Sequence, residues 1–255
     1  MAELYNTDLF NDANLVAYYR LNDNFDSKST NHFTTVNGSP TWVSGKYFNA
    51  VSLGESNTNN YLFANTNLGI DGTAITIAAW VKLTTEITSG TYIFFGQFSA
   101  TTKRQFSIQY EYNGGTPRLN WAFDPVGIAG VYRYKTITLG TSTWYHLALT
   151  YDNTTMTPYY NAVAQTTGTP SGNGNTGTTS HVTIGCNPWS SNGNAPASAM
   201  IDDFCIFNDA LTSDEIGTLA TTTQIRRLAT TARTSAAARS AASARSAASA
   251  RSVAA

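Results

Sequence analysis

The nine residues Trp144 to Asp152, WYHLALTYD, constrain this chain more than any other stretch. Trp144, His146, Ala148 and Thr150 fall on one side of a period-two pattern, and Tyr145, Leu147, Leu149 and Tyr151 fall on the other. That is the pattern of a strand covered on one or both faces, and it reads as a core strand of a β-sandwich. Met200 to Phe207, MIDDFCIF, is equally short and rich in β-forming residues, yet it sets two adjacent carboxylates, Asp202 and Asp203, inside an apolar run. At least one of them has to face inward or lie at an edge.

The rest of the chain repeats this theme. Residues 1–13 are a polar lead-in with scattered anchors, expected to be irregular or a short helical turn. Leu15 to Leu21 (LVAYYRL) is the first convincing strand, and the turn-rich segment after it carries Asp23 and Asp26. TWVSGKYFNAVSL (41–53) reads as strand, glycine turn and strand, and 60–64 adds another short one. In ITIAAWVKL (75–83), Ile75, Ile77, Ala79 and Val81 alternate with Thr76, Ala78, Trp80 and Lys82. TYIFFGQF (91–98), RQFSIQYEY (104–112) and RLNWAFD (118–124) follow, the last two joined through Asn113, Gly114 and Gly115, which tolerate positive φ and predict a hairpin. After the core strand, Asp152-Asn153 opens a turn, and MTPYYNAV (156–163) returns with Pro158 pushing it toward a sheet edge. A Gly, Thr, Ser and Asn tract (165–180) leads to HVTIGC (181–186), a loop and the acidic strand. The spacing then predicts a short helix near 212–220, capped by Thr212 or Ser213 with Asp214 and Glu215 in its first turn. Two antiparallel sheets packed face to face are expected over residues 14–220.

Composition agrees. Only 12% of the 255 residues are charged against 42% apolar, which suits a turn-rich β-protein and not a helical bundle. The net charge of −1 conceals a division. Residues 221–255 form a basic, low-complexity tail with six arginines, Arg226, Arg227, Arg233, Arg239, Arg245 and Arg251, and no acid. The last four recur every six residues (RTSAAA, RSAASA, RSAASA, RSVAA). The remaining 220 residues hold nine basic and 16 acidic groups, or −7. Opposite charges on body and tail suggest that the tail meets an acidic surface, its own or a partner's. No window approaches about 18 continuous apolar residues, so no membrane span is expected. The first residues carry acids where a secretion signal has basic ones, and no signal peptide is read there. Cys186 and Cys205 are read as buried free thiols, with one disulfide as the alternative.

Taken together, LVAYYRLND, VSGKYFNAVSLG, ITIAAWVKL, STWYHLALTYD, HVTIG and AMIDDFCIFNDALTSDEI resemble, in order and spacing, the laminin G-like domains of the concanavalin A-like lectin and glucanase superfamily. The resemblance covers about residues 14–220 and leaves out the tail. It implies an all-β jelly-roll sandwich of two curved antiparallel sheets that serves as a binding or adhesion module. It also implies calcium held by an acid of the loop after the first strand and an acid of the late acidic strand, here Asp26 with Asp202 or Asp203. Hydrogen bonding of those carboxylates to nearby backbone, or pairing with an arginine, is the other reading. Two departures stand out: the loop at Asp26 reads DSKSTN without the family's glycines, and Asn161-Ala162 stands where relatives often have Asn-Gly.

Candidate chemistry is sparse. Glycosidases on this fold use two carboxylates on neighbouring positions of one strand face. The five glutamates include only one in mid-strand, Glu111, and it has no acid two or four residues away. His32, His146 and His181 share no metal-ligand spacing. No nucleophile elbow, phosphate loop or dinucleotide fingerprint is present, so no enzyme activity is expected. Sugar binding needs aromatic faces at a rim beside fixed polar groups. The candidates are Trp189 with Asn187 and Asn192 in the loop NPWSSNGN, Tyr110, Tyr112 and Trp121 on one hairpin, and Tyr132 with Tyr134. Arginines in the tail are suited to phosphates without sequence preference, and the tail has no aromatic residue to stack on bases. The sequence is therefore read as a non-catalytic, lectin-like decoration subunit of a virion or extracellular surface assembly, anchored by its tail to other copies or to a scaffold. A carbohydrate-binding adhesion module with glycan partners is the alternative.

Overall fold

The computed structural model describes residues 8–54, 60–64, 68, 74–99, 104–124, 130–170, 180–185 and 198–221. A short helix, α1 (Asp8–Asn11), precedes the strands β1 (Leu15–Tyr19), β2 (Thr35–Asn37), β3 (Thr41–Ser44), β4 (Asn49–Ser52) and β5 (Tyr61–Ala64). Then follow β6 (Ile75–Leu83), β7 (Gly90–Ser99), β8 (Arg104–Asn113), β9 (Thr116–Phe123) and β10 (Val131–Thr136). The set closes with β11 (Tyr145–Tyr151), β12 (Met156–Tyr160), β13 (Val163–Ala164), β14 (Ser180–Ile184) and β15 (Ala199–Phe207). A second helix, α2, occupies 213–221.

These strands make two antiparallel sheets. The eight-stranded sheet runs β13-β12-β11-β6-β15-β4-β3, with β1 also paired to β15, and the seven-stranded sheet runs β10-β9-β8-β7-β14-β5-β2. The architecture is the expected all-β jelly-roll sandwich. Alternation fills its interior: Ile77, Ala79 and Val81 of β6 and Leu147, Leu149 and Tyr151 of β11 join one core with Phe106, Ile108 and Tyr110 of β8 and Leu119, Trp121 and Phe123 of β9. β11 is buried at all seven positions. Its other face belongs to a second cluster, in which Ala148, Ala78 and Cys205 are packed with Leu9 of α1, Ile216 of α2 and Leu211 just before that helix. This explains why WYHLALTYD is apolar on both sides.

The local signals place the turns as well. Gly114 and Gly115 take φ of 57° and 85° between the paired residues Asn113 and Thr116, giving the two-residue hairpin. Asp152 Oδ1 accepts from the N–H groups of Thr154 and Thr155 at 2.9 and 2.7 Å, closing the turn into β12. Pro158 directs its carbonyl to the Gln165 N–H at 2.8 Å on the outer side of β12, so its missing donor also falls on that side, next to the two-residue edge strand β13. Thr212 and Glu215 cap α2 reciprocally: Glu215 N–H donates to Thr212 Oγ1 at 3.3 Å, and Thr212 N–H donates to Glu215 Oε2 at 2.8 Å. Two strands, β2 and β10, were not expected from the sequence. Both are outermost strands of the seven-stranded sheet, where one missing neighbour relaxes the demand for apolar alternation.

Candidate functional site

The acidic strand is organised by a change of neighbours. Along one edge of β15, Met200 and Ile201 pair with β4, while Phe204 to Phe207 pair with β1. Register with β6 slips between Asp202 and Cys205, and Asp203 takes a φ of 50°, so the strand bulges where its neighbours change. Both adjacent acids are thereby used. Asp202, 1% exposed, accepts from the N–H groups of Lys46 and Tyr47 at 2.9 and 3.2 Å and so ties down the β3–β4 turn. Asp203 accepts the Tyr18 hydroxyl at 2.6 Å. Gly45 is required beneath this contact, since a Cβ there would lie 2.6 Å from Asp202 Oδ2.

Asp26 is buried and equally engaged. Its Oδ1 accepts from the N–H groups of Tyr18 and Lys28, each at 2.9 Å, and its Oδ2 accepts the Ser29 hydroxyl at 2.5 Å. The Asp26 N–H donates to His32 Nδ1 at 3.0 Å. These carboxylates act as fixed acceptors for turns and strand ends. Calcium needs six to eight oxygen ligands with free lone pairs. Among the described residues no group of three His, Cys, Asp or Glu side chains is placed to hold a metal, and the oxygens of Asp26 already face N–H and O–H donors.

The aromatic candidates separate by face. Trp121 and Tyr110 belong to the interior core, at 0% and 1% exposure, so neither ring is presented to a ligand at a rim. Tyr110 instead bridges its hydroxyl between the Leu139 N–H and the Ile137 carbonyl, each at 3.2 Å. Tyr112 is half-buried at the end of β8, two residues along the same face. Trp189, Asn187, Asn192, Cys186 and the six tail arginines lie outside the described residues. Cys205 is a free, buried thiol, as expected.

Tyr132 and Tyr134 behave differently. The register of β10 against β9 pairs Tyr132 with Ala122 and Tyr134 with Asn120, opposite in parity to the core residues Leu119 and Trp121. Both rings therefore stand on the outward face of the seven-stranded sheet. They are near-parallel at 8° with centroids 6.4 Å apart, and Tyr134 is 47% exposed. The Arg118 guanidinium rests 3.8 Å from the Tyr134 ring centre and donates through Nε to Glu111 Oε1 at 2.5 Å. Beside them Asn120, 3% exposed, carries a buried Oδ1 with no hydrogen-bond partner among the described residues. Glu111, the one mid-strand glutamate, is thus committed to an ion pair. Arg118 and Asn120 were missed at the sequence level, because RLNWAFD marks a strand without saying what β10 lays against it.

His146 lies on the outward face of the other sheet, 2% exposed, its ring edge-on to Trp80 at 5.2 Å. Its backbone is locked: the N–H donates to Asn161 Oδ1 at 2.9 Å and the carbonyl accepts from Asn161 N–H at 2.7 Å. Burial pushes its pKa down to about 3.

Comparison with solved structures places this architecture among known domains. Domain 4 of AbnA, a GH43 extracellular arabinanase from Geobacillus stearothermophilus solved in complex with arabinotriose, is 24% identical with a TM-score of 0.62, over 81% of this chain and 98% of that domain. The binding domain of Paraclostridial Mosquitocidal Protein 1 is 17% identical with a TM-score of 0.63, over 81% of this chain. The ligand-binding domain of botulinum neurotoxin serotype D, solved with N-acetylneuraminic acid, is 13% identical with a TM-score of 0.59, again over 81% of this chain. This chain spans 52% and 50% of those two toxin chains. At such identities the likeness is one of fold. No curated protein matches the chain. A family model of laminin G type, described as the concanavalin A-like lectin/glucanases superfamily, matches residues 54–217, more than half of the chain, which therefore belongs to that superfamily.

Proposed function

We propose that the sandwich is a non-catalytic carbohydrate-binding module whose ligand lies on the outward face of β9 and β10. The observation that carries this reading is the grouping of Tyr132 and Tyr134 with the Arg118–Glu111 pair on one outward strand face. Ring surface accepts the C–H side of a sugar, while a carboxylate and a guanidinium fix its hydroxyls. Glu111 has its charge neutralised by Arg118, which suits it to orienting a hydroxyl and not to attacking a glycosidic carbon. The solved arabinanase domain supplies a first probe, arabinotriose, and N-acetylneuraminic acid supplies an anionic contrast. Calorimetric titration with a panel of neutral and acidic oligosaccharides tests the reading. Tyr134→Ala is expected to weaken the best ligand by about tenfold, roughly 1.4 kcal/mol. Undiminished binding by Tyr134→Ala, or release of reducing sugar by the wild-type protein, refutes it.

A second reading, a decoration subunit of a multimeric assembly such as a phage particle or surface polymer, is supported by the division of charge between residues 221–255 and the body. Its test is the mass of the particle formed by the full chain and by a chain ending at residue 220, across a salt series. An arginine-driven contact weakens as salt rises.

A further inference from the structure

We infer that Arg133 and Lys135 are positioning residues: they latch β10 to the segment 165–168 and so hold the Tyr132 and Tyr134 rings in place, a role that rests on carbohydrate binding by that face. β10 is the outermost strand of the seven-stranded sheet, with β9 as its ladder neighbour. Elements at a margin open locally at little cost unless further contacts hold them.

The residues that alternate with the two tyrosines supply those contacts. Arg133 pairs with Trp121 and Lys135 with Leu119, so both have the parity of the interior core, opposite to Tyr132 and Tyr134. Cations at such positions in a central strand would be buried at high cost. At the margin they reach past the core instead. Arg133 Nε donates to the Thr167 carbonyl at 2.5 Å, and its Nη1 donates to the Tyr132 carbonyl at 2.8 Å. Lys135 Nζ donates to Gln165 Oε1 at 3.1 Å and lies 5.2 Å from the ring centre of Tyr160. Gly168 lies directly against β10: a Cβ there would stand 2.8 Å from Val131 Cγ1 and 3.1 Å from Arg133 Nε.

The segment is itself anchored on the other sheet. Gly168 exchanges both N–H···O bonds with Met156, each at 2.8 Å, and the Gln165 N–H donates to the Pro158 carbonyl at 2.8 Å. Met156 and Pro158 belong to β12 of the eight-stranded sheet. The segment 165–168 therefore ties the margins of the two sheets together. Successive side chains leave a strand on opposite faces, so a grip on Arg133 and Lys135 fixes the backbone that sets both ring positions. That grip comes from the side away from the rings.

Arg133→Met and Lys135→Met, alone and together, and Arg133→Lys in the full chain test this by amide hydrogen exchange and by calorimetric titration with arabinotriose or N-acetylneuraminic acid, whichever the wild type binds more tightly. For the double variant, the β10 amides that face β9 are expected to exchange about tenfold faster with β8 unchanged, and affinity to fall about fivefold. Arg133→Lys keeps a donor and is expected to retain both properties. On a Tyr134→Ala background the loss from Arg133→Met is expected to vanish, because Arg133 acts through the ring. Unchanged exchange at β10, or an affinity loss that adds in full to that of Tyr134→Ala, overturns the inference. So does self-association of Arg133→Met at unchanged affinity, which would make these cations guards of an open sheet edge. A wild type that binds neither sugar refutes the ligand reading, and the exchange rates then still decide whether the latch exists.

Discussion

Tyr18 donates its hydroxyl to Asp203 Oδ1 at 2.6 Å, joining β1 to the bulge of β15 where that strand changes neighbours. The ring is buried in the second apolar cluster, edge-on to Phe10, so Tyr18→Phe preserves the packing and removes only the hydroxyl. A hydrogen bond to a charged group contributes about 1.5–3 kcal/mol, and Tyr18→Phe is expected to lower stability by that order. The shift in urea midpoint reads it. An unchanged midpoint would mean that water replaces the phenol at Asp203.

His146 imposes a pH dependence. Its folded pKa of about 3 lies below the ordinary 6.5 because burial disfavours the charged ring. The unfolded chain therefore binds the extra proton between those values, so this contribution to stability is complete above pH 6.5 and is lost as pH falls toward 3. The slope is at most about 1.4 kcal/mol per pH unit. Urea unfolding of the wild type and of His146→Gln across this range is expected to show a steeper acid loss for the wild type. Parallel pH profiles would place the titration elsewhere.

The β12–β13 turn carries a cost in the wild type. Asn161 and Ala162 take φ of 49° and 64° between the paired residues Tyr160 and Val163. Asparagine tolerates that region, whereas alanine is strained there by about 1–2 kcal/mol. Glycine removes the strain but adds about 0.5–1 kcal/mol of backbone entropy to the unfolded chain. Ala162→Gly is expected to raise stability by roughly 0.5 kcal/mol, seen as a higher Tm. A lower Tm would show that the Ala162 methyl, which packs against the second cluster, outweighs the strain.

The loop at Asp26 is expected to be held by hydrogen bonds without calcium. Calorimetric Tm should be the same in calcium chloride and in EDTA, because the oxygens of Asp26 face Tyr18, Lys28 and Ser29 donors. Asp26→Asn, which turns an amide donor toward at least one of those donors, is expected to cost about 1.5–3 kcal/mol. A rise of Tm with calcium that disappears in Asp26→Asn would reverse the assignment of these acids.

Much of the fold was legible. ITIAAWVKL and WYHLALTYD announce themselves by alternation, the Gly114-Gly115 turn by its tolerance of positive φ, and α2 by the Thr212 and Glu215 spacing. The site was read less well. Trp121 and Tyr110 were plausible contact residues until pairing assigned them to the interior, and the strand face that carries Tyr132 and Tyr134 became visible only beside Arg118 and Asn120. An aromatic residue on a strand looks the same from either face, and only the neighbouring sheet tells which face is wet.

What the amino-acid order determined by itself is therefore local: where strands run, where they turn, and that Asp202 and Asp203 had to be accommodated. Those features depend on backbone preference and on side-chain period within a few residues. Tertiary structure decided how the acids are used and which aromatic rings meet. Asp202 finds its donors 155 and 156 residues away, and Asp203 finds Tyr18 across a bulge created by two strands sharing one edge of β15. Contacts of that separation follow from register between strands, and register is settled only when both faces of both sheets are packed.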